Sequence, residues 1–577
     1  MRETGASAFF TQKFMLEQFS ILIGGNAGDG IDSAGLVLAR ILTQFGFHIY
    51  VYRDYPSLIR GGHTFSIIRV SRKKIAAHSN RIDFLLALQQ DCIDLHKDKI
   101  WEQTGIIYNS DLIKNDSLPL QCKLIPVPLE NIIKEEKAMP VIRNACMIGA
   151  FCKALGISKN VIEYVFKKSK IPDIEMNILI ASLGFESAGV FKDLRIENVP
   201  LKRLPLLSGN EIIALGLVKA GLQTYISYPM TPSSGILHFL AKNSDELGCL
   251  VIHPENEIAV ILMALGCSYA GNKAAVGTSG GGFCLMTEGL SLSGMAEIPL
   301  VIVVGQRPGP STGLPTYSSQ TELNFVLNAG QGEFPRFVVA PGDAEEAYFW
   351  SGMSLAIAWK YQIPAIILSD KTLAEGVFSF DNDSISNFPE ITPVVEDSYK
   401  EYKRYENTES GVSPLAFISR SKAVIKVNSY EHDEYGITTE DPSVTMVMQH
   451  KRLRKEKLIL HELEDFEPVG VYGNRDADTA LICWGSNKGV CCEVGEALGI
   501  KIIQPRVLAP FPVQELLKAC SGVTQCICVE NNALGQLACL CRCSGIRIDD
   551  TVLRYDGRPF SIEELTGEIQ RIIVKKE

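Results

Sequence analysis

One pattern recurs along the chain: a short β-branched run, a glycine turn, then an apolar stretch of helical period. Buried parallel strands read as near-continuous Val, Ile and Leu, and each parallel connection needs a crossover helix, so the repetition predicts parallel α/β units. FSILIGG opens the first unit, and GDGIDSAGLVLARILTQFG follows with apolar residues at 3.6-residue spacing. HIYVYRDYP, FSIIRVS and DFLLALQQD read as its further strands, and a helical pattern from about Asn144 to Lys168 closes it. A second unit spans about Asn210 to Phe388, with TYISYP, CLVIHP, KAAVGTS, PLVIVVG, RFVVAPGD and PAIILSD as strands. A third runs from about Asp476 to the end, with TALICWG, KIIQP, CICVEN and RIDDTVLRY. The expected fold class is α/β with three α/β domains, over residues 1–198, 207–388 and 474–577. A length of 577 residues agrees, at roughly 150 residues per domain.

The intervening segments read differently. ENVPLKRLPLLSG, Glu197–Gly209, carries prolines and charges and is expected to be a linker. Residues 389–473 are rich in charge and poor in strands, which predicts a charged connecting region with a solvated helix. Its basic run Lys451–Lys457 is expected on an exposed helix face rather than at a nucleic-acid site. A net charge of −10 points the same way, because phosphate or anionic-lipid binding needs a basic surface. No apolar run approaches the ~18 residues of a membrane span, and the N-terminus lacks the apolar core of a signal peptide. A cytoplasmic protein with neither nucleic-acid nor membrane partners is the expectation. The 16 cysteines show no CxxC spacing, which disfavours a zinc finger or a locally coded iron–sulfur cluster. Many sit in apolar runs, as free buried thiols do in a reducing compartment.

Several turns carry chemistry-bearing residues. Gly24–Gly30, GGNAGDG, joins a strand to a helix. It fits neither GxGxxG nor a phosphate loop, so a tight turn is favoured over a nucleotide site. His63, after Arg60-Gly61-Gly62, reads as a packing or interface residue. In the second unit, Tyr228-Pro229-Met230-Thr231-Pro232-Ser233-Ser234 follows a strand. Its hydroxyls suit either helix caps or a carboxylate site. Glu257, in PENE ahead of an apolar helix, is either a first-turn acid complementing the helix dipole or a desolvated carboxyl kept neutral as a donor. Gly277–Gly282 is a phosphate-loop lookalike without its lysine. Arg307 ends PLVIVVG and can pair bidentately with a carboxylate, and Thr316 adds a hydroxyl. Four successive strand ends thus carry Thr231, Glu257, Gly280–Gly282 and Arg307, which would converge on one crevice for a small anion and a ring-nitrogen cofactor.

Taken together, YPMTPSS, PENEIAVILMALGCSYAG, GTSGGGFCLMTEGL and GQRPGPSTGLPT resemble the α subunit of 2-oxoacid:ferredoxin oxidoreductases. GGNAGDGIDSAG and YPSLIRGGHTFSIIRVS resemble the γ subunit of the same enzymes, fused in front, and VENNALGQLACLCR is similar to their transketolase-C-terminal-like domain. The resemblance covers nearly the whole chain. It implies a γ-subunit-like domain at 1–198, a pyrimidine-binding domain of a thiamine diphosphate enzyme at 207–388, and a transketolase C-terminal-like domain at 474–577. The implied reaction is oxidative decarboxylation of a 2-oxoacid with CoA, giving acyl-CoA, CO2 and reduced ferredoxin. Glu257 matches the family's glutamate that bonds the pyrimidine nitrogen, and Gly266 nine positions on supports it over Glu255. Pro229, Gly280 and Gly281 match the cofactor-holding turns, and Thr231, Arg307 and Thr316 match positions that bind the 2-oxoacid.

The resemblance also implies what lies elsewhere. The only GDG is Gly28–Gly30, and no asparagine falls between Gly30 and Ser79 to complete a diphosphate–Mg²⁺ motif. In the family that motif and an iron–sulfur cluster belong to a separate β subunit, so thiamine diphosphate is shared, Mg²⁺ and the cluster are expected on the partner, and an (αβ)2 assembly is implied. A fused γα chain points to 2-oxoglutarate, with pyruvate, branched-chain 2-oxoacids or indolepyruvate as alternatives. A nicotinamide or flavin dehydrogenase built on Gly24–Gly30 would leave Thr231, Glu257 and Arg307 unexplained. A non-catalytic scaffold would leave Glu257 dispensable.

Overall fold

A computed structural model describes residues 14–15, 17–57, 61–114, 118–119, 121–169, 171–191, 194–195, 202–385, 388, 395, 401–418, 421 and 423–574. The N-terminal segment, Arg60 and residues 197–201 of the expected linker lie outside them. The chain divides into two compact units, Met1–Leu206 and Leu207–Glu577. Among the described residues, no helix is long and apolar enough to cross a membrane.

In the first unit, β1 (Gln18–Asn26), β2 (His48–Asp54), β3 (His63–Ser71), β4 (Phe84–Ala87), β5 (Gly105–Asn109) and β6 (Lys123–Val127) lie in the order β6-β5-β4-β1-β3-β2. The expectation of a purely parallel sheet fails here. β4, β5 and β6 continue parallel from β1, but β3 runs antiparallel to both β1 and β2. The reason is the connection. Only residues 55–62 join β2 to β3, and a parallel pair needs a crossover of a dozen residues or more. Helix α1 (Ile31–Thr43) supplies such a crossover from β1 to β2, leaving room for β3 between them. The expected helical stretch is two helices, α2 (Arg143–Ala154) and α3 (Lys159–Lys168), followed by α4 (Ile174–Ser187). Gly24–Gly30 is a tight turn, with Gly28 and Gly30 at φ 99° and 75°. The Asp29 carboxylate in it accepts from the Asn26 N–H at 2.8 Å. His63 packs as expected, stacking on Phe65 and meeting His96 Nε2 at 2.9 Å.

The second unit holds two sheets. Helix α5 (Gly209–Lys219), started by a Ser208–Glu211 capping box, leads into β7 (Thr224–Ser227), α6 (Ser234–Lys242), β8 (Leu250–Ile252), α7 (Glu257–Tyr269), β9 (Ala274–Ser279), α8 (Gly280–Ala296) and β10 (Leu300–Gln306). Then come α9 (Leu323–Asn328), β11 (Phe337–Val339), α10 (Ala344–Tyr361) and β12 (Pro364–Asp370). Every residue of β9, β10 and β12 is buried, as expected for strands covered on both faces. Helices α11 (Pro442–Leu453) and α12 (Lys455–Leu463) follow. Next are β13 (Val469–Gly473), β14 (Thr479–Cys483), α13 (Asn487–Leu498), β15 (Lys501–Pro505), β16 (Val507–Ala509), β17 (Gln525–Glu530), α14 (Gln536–Cys543), β18 (Asp550–Leu553) and α15 (Ile562–Val574). The larger sheet has the order β8-β7-β9-β10-β12-β11-β16, parallel except for β16. The smaller has the order β13-β15-β14-β17-β18, parallel except for β13. One buried apolar cluster joins them, from Ile226 and Val304 to Trp484 and Leu537.

The basic run Lys451–Lys457 corrects the expectation of a solvated face. Lys451 and Lys455 are fully buried and Arg452 nearly so, while Lys457 is exposed. Lys451 Nζ sits 2.8 Å from Glu297 Oε1, and Lys455 Nζ pairs with Oε2 of the same carboxylate. Arg452 forks onto Glu431, and Arg404 donates to the Glu297 carbonyl at 2.7 Å. Glu297 is 1% exposed. Burial alone would raise its pKa, but Lys451, Lys455 and Arg404 outweigh burial and hold the carboxylate well below its usual range. The charge run therefore fastens the connecting region to the end of α8. The cysteines are all free, and most are buried. Burial pushes the Cys92 and Cys249 thiols up to about 11, so they stay protonated and serve as packing.

Candidate active site

The candidate residues gather at the C-terminal ends of β7, β8, β9 and β10. From β7 the chain moves outward to edge strand β8, then returns to the other side of β7 as β9. That reversal opens a crevice beyond the strand ends, where α/β sheets bind ligands. The Ser227 hydroxyl donates to the Gly277 carbonyl at 2.8 Å and ties β7 to β9 at this point.

A cavity of about 480 Å³ lies here, lined among others by Met230, Glu257, Gly280, Gly281, Arg307 and Glu322. Glu257 is the first residue of α7, placed by Asn256, whose side chain caps the helix by accepting from Ala259 N–H at 3.0 Å. Its side chain is buried at 5% exposure, yet no described hydrogen bond engages its carboxylate. The carboxylate rests against the bare first turn of α8. A Cβ on Gly282 would stand 2.4 Å from Glu257 Oε1 and 2.0 Å from Thr278 Oγ1. A Cβ on Gly280 would stand 2.5 Å from Glu322 Oε1. The glycine run is thus required by two glutamates that pack on it, rather than by a phosphate.

Arg307 follows the last residue of β10 and is 9% exposed. Its Nη1 donates to the Thr231 carbonyl at 2.9 Å, which fixes the guanidinium and leaves its other donors for the cavity. Burial lowers its pKa and the nearby Glu322 opposes the shift, so it stays cationic. Thr231 therefore acts through its backbone in this arrangement. Thr316 is buried with an unpartnered hydroxyl, and neither it nor half-buried Pro229 is among the lining residues. The structure brings together Glu257, Gly280, Gly281 and Arg307, with Thr231 behind the arginine.

Glu322 is the lining residue that sequence reasoning missed. It precedes the six-residue helix α9 without capping it through its side chain, and is 8% exposed. Burial, the largest influence, pushes its carboxyl up to about 7 against the pull of Thr321 and Arg307. The segment bearing it is braced by the smaller sheet. Gln320 Nε2 donates to the Trp484 carbonyl at 2.8 Å, and Gln536 Nε2 to the Thr321 carbonyl at 2.9 Å. Glu530, fully buried, accepts from the first free N–H groups of α14 at Leu537 and Ala538 and so fixes Gln536. VENNALGQLACLCR is accordingly a clamp on the loop that follows Arg307.

Known proteins carry the same construction. Residues 215–451 match the family model described as pyruvate flavodoxin/ferredoxin oxidoreductase, thiamine diphosphate-binding, and residues 20–187 match pyruvate ferredoxin/flavodoxin oxidoreductase. The chain is 30% identical to the 2-oxoacid:ferredoxin oxidoreductase subunit alpha of a Sulfolobus species, over 96% of this chain and 97% of that one. The chain belongs to the 2-oxoacid:ferredoxin oxidoreductase alpha-subunit family. It is thus a subunit of an oxidoreductase that acts on a 2-oxoacid with ferredoxin as acceptor. A more distant relative is the 2-oxoglutarate oxidoreductase subunit KorA of Mycobacterium tuberculosis, 26% identical over 95% of this chain and 91% of its own. Among solved structures, the 2-oxoglutarate:ferredoxin oxidoreductase from Magnetococcus marinus, which has 2-oxoglutarate, coenzyme A and succinyl-CoA bound, aligns with TM-score 0.88 and 28% identity, covering 96% of this chain and 100% of that one.

Proposed function

We propose that this alpha subunit supplies the pyrimidine side of a shared thiamine diphosphate site, with 2-oxoglutarate as the favoured 2-oxoacid. The observation that carries the reading is Glu257: a buried carboxylate that has no donor among the described residues, opening on the cavity that also holds Arg307. Leaving such a group unbonded is unfavourable, so its geometry fits a ligand that brings a ring N–H. The cofactor, when bound, supplies the carbanion chemistry that removes CO2 from a 2-oxoacid. Glu257 holds a proton shared with the ring nitrogen. Arg307, fixed by the Thr231 carbonyl, orients the substrate carboxylate, and Gly280 and Gly281 leave space for the ring. Thr316 and Pro229 support the loops on either side. The orphaned Thr316 hydroxyl becomes a donor to substrate if its loop shifts on binding.

In this reading a β subunit completes the site and brings the diphosphate, Mg²⁺ and cluster in an (αβ)2 cytoplasmic assembly. Asp29 of the lone GDG is already engaged by Asn26, which supports placing the metal elsewhere. The helices flanking the cavity expose Ile258, Leu262, Met263 and Leu285, an apolar rim suited to a second chain. The functional division is a γ-like domain at 1–198, the pyrimidine domain at 207–388, a connecting region at 389–473 and a transketolase C-terminal-like domain at 474–577. Support for 2-oxoglutarate comes from the Magnetococcus and Mycobacterium proteins. The test is co-expression with the cognate β subunit and methyl-viologen reduction with CoA and a panel of 2-oxoacids. The expected result is turnover by the pair, fastest with 2-oxoglutarate, and none by the isolated chain. Full turnover by this chain alone would overturn the shared-site reading.

A further inference from the structure

A second carboxyl stands in the cavity that the shared-site reading does not use. Glu322 lies in the wall at 8% exposure, on the same cavity surface as Arg307. The Thr321 hydroxyl reaches both of its oxygens at 3.0 Å, and its own N–H donates to Gln306 Oε1 at 3.2 Å. Among the described residues no cation pairs with it directly, because the Arg307 contact runs to the Thr231 carbonyl. The other titratable groups of the cavity are Glu257 at the start of α7 and Cys284 on α8, and the smaller sheet presents neutral Gln536. Gly280 has no side chain to hold the carboxyl away, and the clamps at Gln320 and Gln536 keep its segment in place. A 2-oxoacid bound to Arg307 would bring a second negative charge into the same cavity.

We propose that Glu322 is a substrate-gating acid: neutral, it leaves Arg307 to the 2-oxoacid carboxylate; ionised, it repels that carboxylate and competes for the same guanidinium. The inference rests on the reading of Arg307 as the carboxylate's partner. Binding above the titration of Glu322 then takes one proton from solvent, and release of the bound acid returns it. Burial, which pushes this carboxyl up to about 7, puts the exchange near neutrality.

The test uses the complex with its β subunit and oxamate, an unreactive 2-oxoacid analogue. Calorimetric titration in two buffers of different ionisation enthalpy, at about pH 8.5, should show uptake approaching one proton per site. Glu322→Gln should abolish that uptake. The KM for the 2-oxoacid should rise about tenfold per pH unit above the titration in the wild type and stay level in Glu322→Gln. No proton uptake by the wild-type complex would overturn the proposal without reference to any variant. Retention of the wild-type KM profile in Glu322→Gln would overturn it as well. Arg307→Ala separates the two ideas. If it leaves oxamate affinity unchanged, the carboxylate reading itself fails; if it abolishes binding while Glu322→Gln keeps the wild-type profile, only the role of Glu322 fails.

Discussion

Two buried glutamates in the second unit are handled in opposite ways. Glu297, at the end of α8, is met by two lysines and lies beneath an arginine bound to its own carbonyl. Glu257, at the start of α7, is nearly as buried and has no donor among the described residues. Burying a carboxylate is unfavourable in both places, and only one is compensated within the chain. The compensated one holds the connecting region in place. The other faces a cavity, and its missing donor is the feature on which the proposed cofactor contact rests. Partnering, rather than burial, separates the two glutamates.

The largest expected effect comes from breaking the open side. Glu257→Gln should lower methyl-viologen reduction by the reconstituted complex about 10²- to 10⁴-fold, the usual range for a proton-holding group. Because no protein partner is lost, the unfolding free energy should change by no more than about 0.5 kcal/mol. A melting curve beside the assay checks both halves. Glu297→Ala should do the reverse. It strands Lys451 and Lys455 in the interior, with an expected loss of about 3–5 kcal/mol by denaturant unfolding and unchanged activity per folded complex. The pH sign follows from the depressed pKa. The stabilisation by Glu297 is fully present above the unfolded carboxylate value of about 4.3 and is lost as pH falls through the lower folded value. Acid unfolding of Glu297→Gln should lack that component.

How much of this was legible in the sequence follows from the range of the forces involved. Glu257 and Arg307 were visible because each sits one step past a strand or at a helix start, where local spacing fixes direction. The parallel sheet of the second unit was equally legible, since strands buried on both faces must be continuously apolar. The antiparallel β3 was misread because period and composition do not reveal strand direction. A short loop does, and the turn before His63 was the available signal. Lys451 and Lys455 were misread because charge predicts exposure unless a partner arrives from far along the chain, and Glu297 is more than 150 residues away. Glu322 was invisible for a related reason. Its place in the cavity depends on a clamp from Gln536, more than 200 residues later. The domain boundaries drawn from sequence separate two sheets that share one apolar cluster.

A smaller expected effect tests whether the open side depends on the bare helix turn. Gly282→Ala would place a Cβ 2.4 Å from Glu257 Oε1, closer than any packed atom tolerates, and the carboxylate must swing away. A displacement of about 1 Å at a reacting group can lower rates about 10²-fold, so activity should fall by about 10- to 10²-fold with assembly retained. Activity equal to wild type would mean that Glu257 reaches its ligand from a different position, and the contrast with Glu297 would lose its geometric basis.

The smallest expected effects sharpen the closed side, within a single run of sequence. Lys451 lies in the last turn of α11 and Lys455 opens α12, and the two meet one carboxylate. Lys457 is two residues beyond Lys455, a rotation of about 200° at 3.6 residues per turn, and it faces solvent. Lys455→Ala should cost less than Glu297→Ala, because Lys451 still satisfies the remaining carboxylate. Lys457→Ala should fall within about 0.5 kcal/mol of wild type in the same unfolding measurement. The order Glu297→Ala, Lys455→Ala, Lys457→Ala tests the partner rule directly. A purely compositional view of the basic run assigns the two lysines equal weight, and equal unfolding midpoints for their alanine variants would favour that view. Unequal ones show that identical residues two positions apart are set apart by a carboxylate from another helix.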